Sequence, residues 1–187
     1  AAMKPHFGRL HVVPGYAYRM PNCTAAICLG QLEIIRDQVA RIDRAARLLN
    51  KLVARIPGII PLRIPAQQNV WSCWMYGISI DPTQFRCTAE EFADQLSQAG
   101  IPGAGQGKYY LMPVALTFLE ENARNRVYPY SMPPASREHH YNGDTCPNAK
   151  AFLENFIRWA TLCAKYEPQH CELAAAIIEE VAEKNRK

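Results

Sequence analysis

No apolar run in the 187 residues approaches the roughly 18–20 needed to cross a bilayer. The first ten residues lack the apolar centre of a signal peptide. The expectation is a soluble, cytoplasmic chain with no membrane partner. No CxxC pair occurs among the seven cysteines, at 23, 28, 73, 87, 146, 163 and 171, so neither a zinc ribbon nor a thioredoxin-like motif is signalled. They read as reduced thiols, mostly buried. Charge of one sign is scarce too: a net +4 does not by itself imply nucleic acid. There is no internal repeat and no low-complexity tract. What remains is an ordinary globular balance, 49% hydrophobic and 20% charged, in a length that suits one domain or one domain with an arm.

Prolines are plentiful, 14 in all, and cluster at 57–65 and 129–147, which marks loops. Residues 1–22 are broken by Pro5, Gly8, Pro14, Gly15 and Pro21 and read as an irregular arm. Residues 23–56 then carry Ala25, Cys28, Leu32, Ile35, Val39, Ile42, Ala46, Leu49, Val53 and Ile56 at spacings of three and four. That predicts one long helix, roughly 50 Å in length, with Gly30 as a point of kinking and Pro57-Gly58 as its stop. Its other face holds Arg41, Arg44, Arg47, Lys51 and Arg55. Without interleaved aromatics this reads as a solvated face rather than a nucleic-acid surface.

Residues 70–80, VWSCWMYGISI, predict a central strand. Thr88 and Glu91 have capping-box spacing and open a helix with Phe92, Leu96 and Ala99 inside, stopped by Gly100 and Pro102. A helix is expected over 147–162 with Ala149, Phe152, Leu153, Phe156, Ile157 and Ala160 inside. Another is expected over 168–186 with Leu173, Ala174, Ile177, Ile178 and Val181 inside.

Self-sufficient chemistry is hard to find. The glycines at 100, 103, 105 and 107, with Lys108 following, match no phosphate-binding loop. His139, His140, Cys146, His170 and Cys171 invite a metal, but adjacent ligand pairs point in different directions, so no metal site is expected. Nothing marks one cysteine as activated. The tyrosine- and proline-rich stretch 127–143, with its His139-His140 pair, suits an ordered surface loop of a binding kind.

One stretch is specific. His6-Phe7-Gly8-Arg9, Gly15-Tyr16-Ala17-Tyr18-Arg19-Met20, Ala25-Ala26 and Leu29-Gly30-Gln31-Leu32-Glu33 follow one another in a recognisable order. The strand at 70–80, Gly100-Ile101-Pro102 and Cys146-Pro147-Asn148-Ala149 continue it. This order resembles the DegT-type family of pyridoxal-phosphate-dependent sugar aminotransferases, over nearly the whole chain. The family's members are about twice as long. Their first part is a large doubly wound domain that carries the Schiff-base lysine, upstream of the segment matching HFGR.

The resemblance implies the C-terminal part of such an enzyme, an α+β fold. It would have an arm at 1–22, a connector helix at 23–56 and a small domain at 57–187, an antiparallel sheet with helices packed on it. The missing large domain and a second copy, as a homodimer, would be its partners. The whole enzyme would use pyridoxal phosphate to move an amino group from glutamate or glutamine to a keto-sugar or cyclitol. The lysines at 4, 51, 108, 150, 165, 184 and 187 match no counterpart of the catalytic lysine, so this chain alone would be inactive and bind no cofactor covalently. Ala17, Tyr18 and Arg19 fall where the family touches the cofactor phosphate across the dimer interface. Ala17 replaces an Asn that donates there. Asn69, Lys108 and Tyr109 fall near substrate contacts, Asn69 where many relatives have His. The alternative is a non-catalytic binding or dimerisation domain derived from that family.

Overall fold

The computed structural model describes residues 20–106 and 111–187. The order of elements is α1 (Asn22–Leu32), α2 (Ile35–Val53), β1 (Ile59–Pro61), β2 (Tyr76–Ile80), α3 (Ala89–Gln98), β3 (Gly105–Gln106), α4 (Met112–Ala115), α5 (Thr117–Arg124), α6 (Pro147–Asn155), β4 (Phe156–Trp159) and α7 (Pro168–Asn185). Among the described residues two compact units result, one of residues 111–154 and the other of residues 20–106 with 155–187. The class is α+β, as expected.

The second unit is built on a four-stranded antiparallel sheet in the order β1-β2-β4-β3. β2 is central, as its apolar composition predicts. Its strand begins only at Tyr76. Residues 70–75 are not strand, and Trp74 is 76% exposed. Direct pairs share a face, so Tyr76 lies beside Trp159 and Ile78 beside Ile157. These side chains join Leu49 and Val53 of α2, Phe92 and Leu96 of α3, and Cys171, Ile178 and Val181 of α7 in one core. The Tyr76 and Trp159 rings sit 4.8 Å apart. The buried Tyr76 hydroxyl donates to Asn50 Oδ1 at 2.9 Å, and Asn50 Nδ2 donates to the Leu62 carbonyl at 2.7 Å. The buried tyrosine hydroxyl is thus satisfied by the half-buried Asn50 at the edge of the apolar layer.

Local signals are met at several ends. The Thr88 hydroxyl accepts from the Glu91 amide at 3.3 Å, and the Thr88 amide donates to Glu91 Oε2 at 2.8 Å. These bonds hold the Glu91 carboxyl below its ordinary value. Gly100 follows α3 with φ +115°, a conformation that suits glycine at a helix stop.

Three further expectations are corrected. The stripe over 23–56 runs through two helices, not one. The break is at Glu33-Ile34, where the Ile34 amide bonds back three residues to the Gln31 carbonyl at 3.2 Å. Adjacent β-branched residues, Ile34 and Ile35, crowd a continuous helix at that point. Burial also changes there. Ala45, Ala46, Leu49 and Val53 are buried, while α1 buries no residue and exposes Ile27, Leu29 and Leu32 by about two-thirds.

The helix over 147–162 ends at Asn155. Phe156-Ile157-Arg158-Trp159, rich in residues that favour strands, pairs with β2 on one side and β3 on the other. Phe156 and Ile157 are therefore core residues as strand, and Phe152 is exposed. In α7 the inward stripe is Cys171, Ala174, Ala175, Ile178, Val181 and Ala182. Leu173 lies off that face and is 61% exposed.

On the other face of the sheet the Phe156 ring lies over Gly77. A Cβ at Gly77 would come within 2.3 Å of that ring and 2.9 Å of the Ile157 carbonyl oxygen. Gly77→Ala is therefore expected to cost about 1–3 kcal/mol of stability by overpacking. Urea unfolding checks this, and a variant as stable as the parent would contradict the close approach.

Candidate functional site

Asn69 sits in the connection between β1 and β2, which is pinned to α2 through its backbone. Asp43 and Arg47 lie one turn apart on that helix. Arg47 Nε donates to Asp43 Oδ1 at 2.7 Å, and Arg47 Nη2 donates to the carbonyls of Gln68 at 3.1 Å and Asn69 at 3.4 Å. The Trp71 amide donates to the same Asp43 oxygen at 2.8 Å. Asp43 is mostly buried, its side chain 18% exposed, so these are charge-assisted bonds in a partly dry place.

The clamp presents Asn69 at the surface and sets Val70 along an open groove of about 430 Å³. Ile35, Arg36, Val39, Ala40, Asp43 and Arg44 of α2 complete the lining. Two cations of the basic face are thereby engaged, since Arg41 also pairs with Asp37 at 2.8 Å. The pair Asp43–Arg47 was available in the sequence as an i,i+4 spacing. The backbone carbonyls it holds were not.

The first unit orders the histidine-tyrosine loop. Tyr130 is buried and shares a hydrogen bond with the Tyr141 hydroxyl at 3.1 Å. That bond, with burial, pushes the Tyr130 phenol up to about 12. The His139 ring lies 17° from parallel to Tyr141 and meets Tyr130 edge-on. His139 Nε2 is 3.1 Å from the Ala135 carbonyl, which can only accept, so that nitrogen carries the proton. The Tyr141 amide donates to Glu120 Oε2 at 2.6 Å, and His140 Nε2 lies 3.0 Å from Glu138 Oε1. Lys150 bonds Asp144 at 3.0 Å at the end of the same loop.

The remaining candidates do not converge. His170 Nδ1 accepts from the Glu167 amide at 3.0 Å and caps α7, and Cys171 is buried beside the Ala45 carbonyl. Burial pushes the Cys73 thiol up to about 12 and raises those of Cys171 and Cys87. Cys73 and Cys171 are buried and are poor nucleophiles, but the expectation of mostly buried thiols is corrected, since Cys23, Cys28 and Cys163 are exposed. Among the described residues no group of three or more His, Cys, Asp or Glu side chains could hold a metal ion. No helix among them is long and apolar enough to cross a membrane. Ala17, Tyr18, Arg19, Lys108 and Tyr109 lie outside the described residues.

The family model for DegT/DnrJ/EryC1/StrS aminotransferases matches residues 3–158. The chain belongs to this family. A UDP-4-amino-4-deoxy-L-arabinose–oxoglutarate aminotransferase of Shewanella sediminis is 30% identical over 95 residues, which cover 50% of this chain and 24% of that protein. The structure of 3-amino-5-hydroxybenzoic acid synthase superposes with a TM-score of 0.61 at 18% identity, over 97% of this chain and 43% of that one. A protein assigned as a sugar aminotransferase from Streptococcus pneumoniae, in its PLP form, gives 0.62 at 20% identity, over 92% and 38%. The chain thus spans less than half the length of these relatives. The fold is that of part of a pyridoxal-phosphate aminotransferase.

Pyridoxal phosphate, the family's cofactor, needs a lysine that gives up its proton inside a pocket. The described lysines do not fit it. Asp144 holds the Lys150 amine above its ordinary value, Lys184 pairs with Glu180, Lys187 donates to the Pro82 carbonyl, and Lys51 and Lys165 are exposed. None of the five lines the groove beside Val70.

The clamp generates a test. Asp43→Asn and Arg47→Gln are each expected to cost about 1.5–3 kcal/mol, the range for charge-assisted hydrogen bonds. Each is also expected to speed hydrogen exchange at the Trp71 amide. Unchanged exchange there in Asp43→Asn would show that Asp43 does not hold the loop.

Proposed function

We propose that this chain is the connector helix and small C-terminal domain of a pyridoxal-phosphate-dependent aminotransferase. The whole enzyme moves an amino group from glutamate or glutamine to a keto-sugar or cyclitol. The observation that carries this reading is the family match over residues 3–158, set beside a fold that corresponds to two-fifths of the relatives' chains. In this reading 1–22 is the arm, 23–56 the connector and 57–187 the small domain. The Schiff-base lysine lies on the large domain, outside these residues. Ala17, Tyr18 and Arg19 face the cofactor of a neighbouring subunit in a homodimer. Asn69, Lys108 and Tyr109 face the acceptor, Asn69 from the loop that Arg47 and Asp43 hold.

Reduction with borohydride after incubation with the cofactor, followed by peptide mapping, tests the placement of the lysine. No single lysine of this chain is expected to label in stoichiometric amount. Such a label on one of the seven would overturn it. Addition of the large domain is expected to restore glutamate- or glutamine-dependent transamination of a keto-sugar.

A second reading, a non-catalytic binding or dimerisation domain, is favoured by the lysine environments and by Ala17, which has no side-chain donor. Both readings need a surface that α1 meets. This helix has no charged residue and no buried one, and an apolar exposed helix of that kind drives association. Sedimentation is expected to show concentration-dependent self-association. Leu29→Glu with Leu32→Glu should abolish it, since both side chains are about two-thirds exposed. A parent chain that stays monomeric would remove α1 as the contact.

A further inference from the structure

The loop that follows α5 closes a second cavity, which neither reading above uses. It measures about 240 Å³ and is lined by Glu120, Ala123, Arg124, Arg126, Glu138, His139 and His140. Pockets for drug-sized ligands run from roughly 300 to 1,000 Å³, so this one is of a size to enclose a small metabolite. All its lining residues belong to the first unit.

Its charges are laid out in two signs. Arg124 ends α5 and Arg126 follows two residues later. Neither guanidinium has a carboxylate partner among the described residues, and Arg126 spends one N–H on the Ser136 carbonyl. The carboxylates are Glu120 and Glu138. Glu120 takes the Tyr141 amide on one oxygen, and its other oxygen stands 4.0 Å from His140 Nδ1. Glu138 meets His140 Nε2 with Oε1, and its Oε2 has no partner among the described residues. A simple anion entering here meets two carboxylates, and a simple cation meets two guanidiniums. A small molecule carrying both charges is complementary to the set.

Part of the wall is held in advance. His139 is fixed by the Ala135 carbonyl and by its ring contacts with Tyr130 and Tyr141. Glu120 is fixed by the Tyr141 amide, and Arg126 ties the far side of the loop. These contacts order one side of the cavity before anything binds, while Arg124 and Glu138 stand exposed and are ordered only by the ligand.

We propose that this cavity binds a free α-amino acid, its carboxylate on Arg124 and Arg126 and its ammonium toward Glu138. The site rests on the geometry of this loop and not on the aminotransferase reading, so it stands or falls without cofactor or turnover.

Calorimetric titration of the 187-residue chain with L-glutamate, L-glutamine and glycine is the test, with no cofactor present. Glutarate, which lacks the ammonium, and butylamine, which lacks the carboxylate, are the single-ended controls. Saturable binding of at least one amino acid is expected, with both controls about tenfold weaker or worse. Arg124→Gln and Glu138→Gln are each expected to weaken that binding about tenfold, one charge-assisted contact apiece. Both side chains are exposed, so the circular dichroism of the variants should match the parent, and Arg124→Lys should recover part of the loss. The sign at Glu138 is decisive, because a plain anion site would bind more tightly once that carboxylate is gone. Glutarate binding as well as L-glutamate, tighter binding in Glu138→Gln, or no saturable binding of any of the three amino acids at millimolar concentration would each overturn the proposal.

Discussion

The pairing of β2 with β4 is the constraint on which the second unit depends. It brings Tyr76 to Trp159 and Ile78 to Ile157 across some eighty residues of chain. Closing so long a loop costs entropy that only contacts made after closure can repay. Here those contacts are concentrated. The Tyr76 and Trp159 rings lie together on the helix-covered face, and Phe156 covers Gly77 on the other. Gly77 is what allows the second of these, since any side chain there would occupy the space of the Phe156 ring. Once the pair forms, β1 and β3 have edges to join, and α2, α3 and α7 have a surface on which to lay their apolar stripes.

Elements whose signals are local were legible in the sequence. The Thr88–Glu91 box, the glycine after α3 and the stripe of α2 each depend on residues within a turn or two of one another. β4 was not legible, because FIRW continues the helical spacing of Phe152 and Leu153, and only a partner strand far away in sequence decides for the extended form. Leu173 was misplaced for a related reason. α7 buries Ala174, Ala175 and Ala182, and small residues carry little weight in an apolar pattern even when they set the face. At the candidate site, Asn69 was singled out for its side chain, yet what the structure engages is its carbonyl, through Arg47. Composition cannot reveal a backbone acceptor. Family resemblance reached further than residue chemistry because it rests on order along the whole chain and not on any one side chain.

The two sites differ in how they are built. The groove beside Val70 borrows its shape from a helix, and its one carboxylate, Asp43, is taken up by Arg47 and the Trp71 amide. The cavity after α5 is made by a loop whose rings brace one another, and its guanidiniums retain donors that no described residue takes up. The first arrangement favours positioning of a chain segment, the second favours recognition of a small charged molecule.

The groove along α2 has one more property. At 1.5 Å per residue the 19 residues of α2 make a rod of about 28 Å. Its C-terminal half is embedded through Ala45, Ala46, Leu49 and Val53, while Ile35, Arg36, Val39 and Ala40 stand on the half that no core contact grips. The opposite wall, Val70, hangs from Asp43 and Arg47, where the embedded half begins. The two walls therefore belong to different mechanical parts of one helix. The width of the groove is therefore set by how straight α2 runs between Ala40 and Asp43, and not by the sheet.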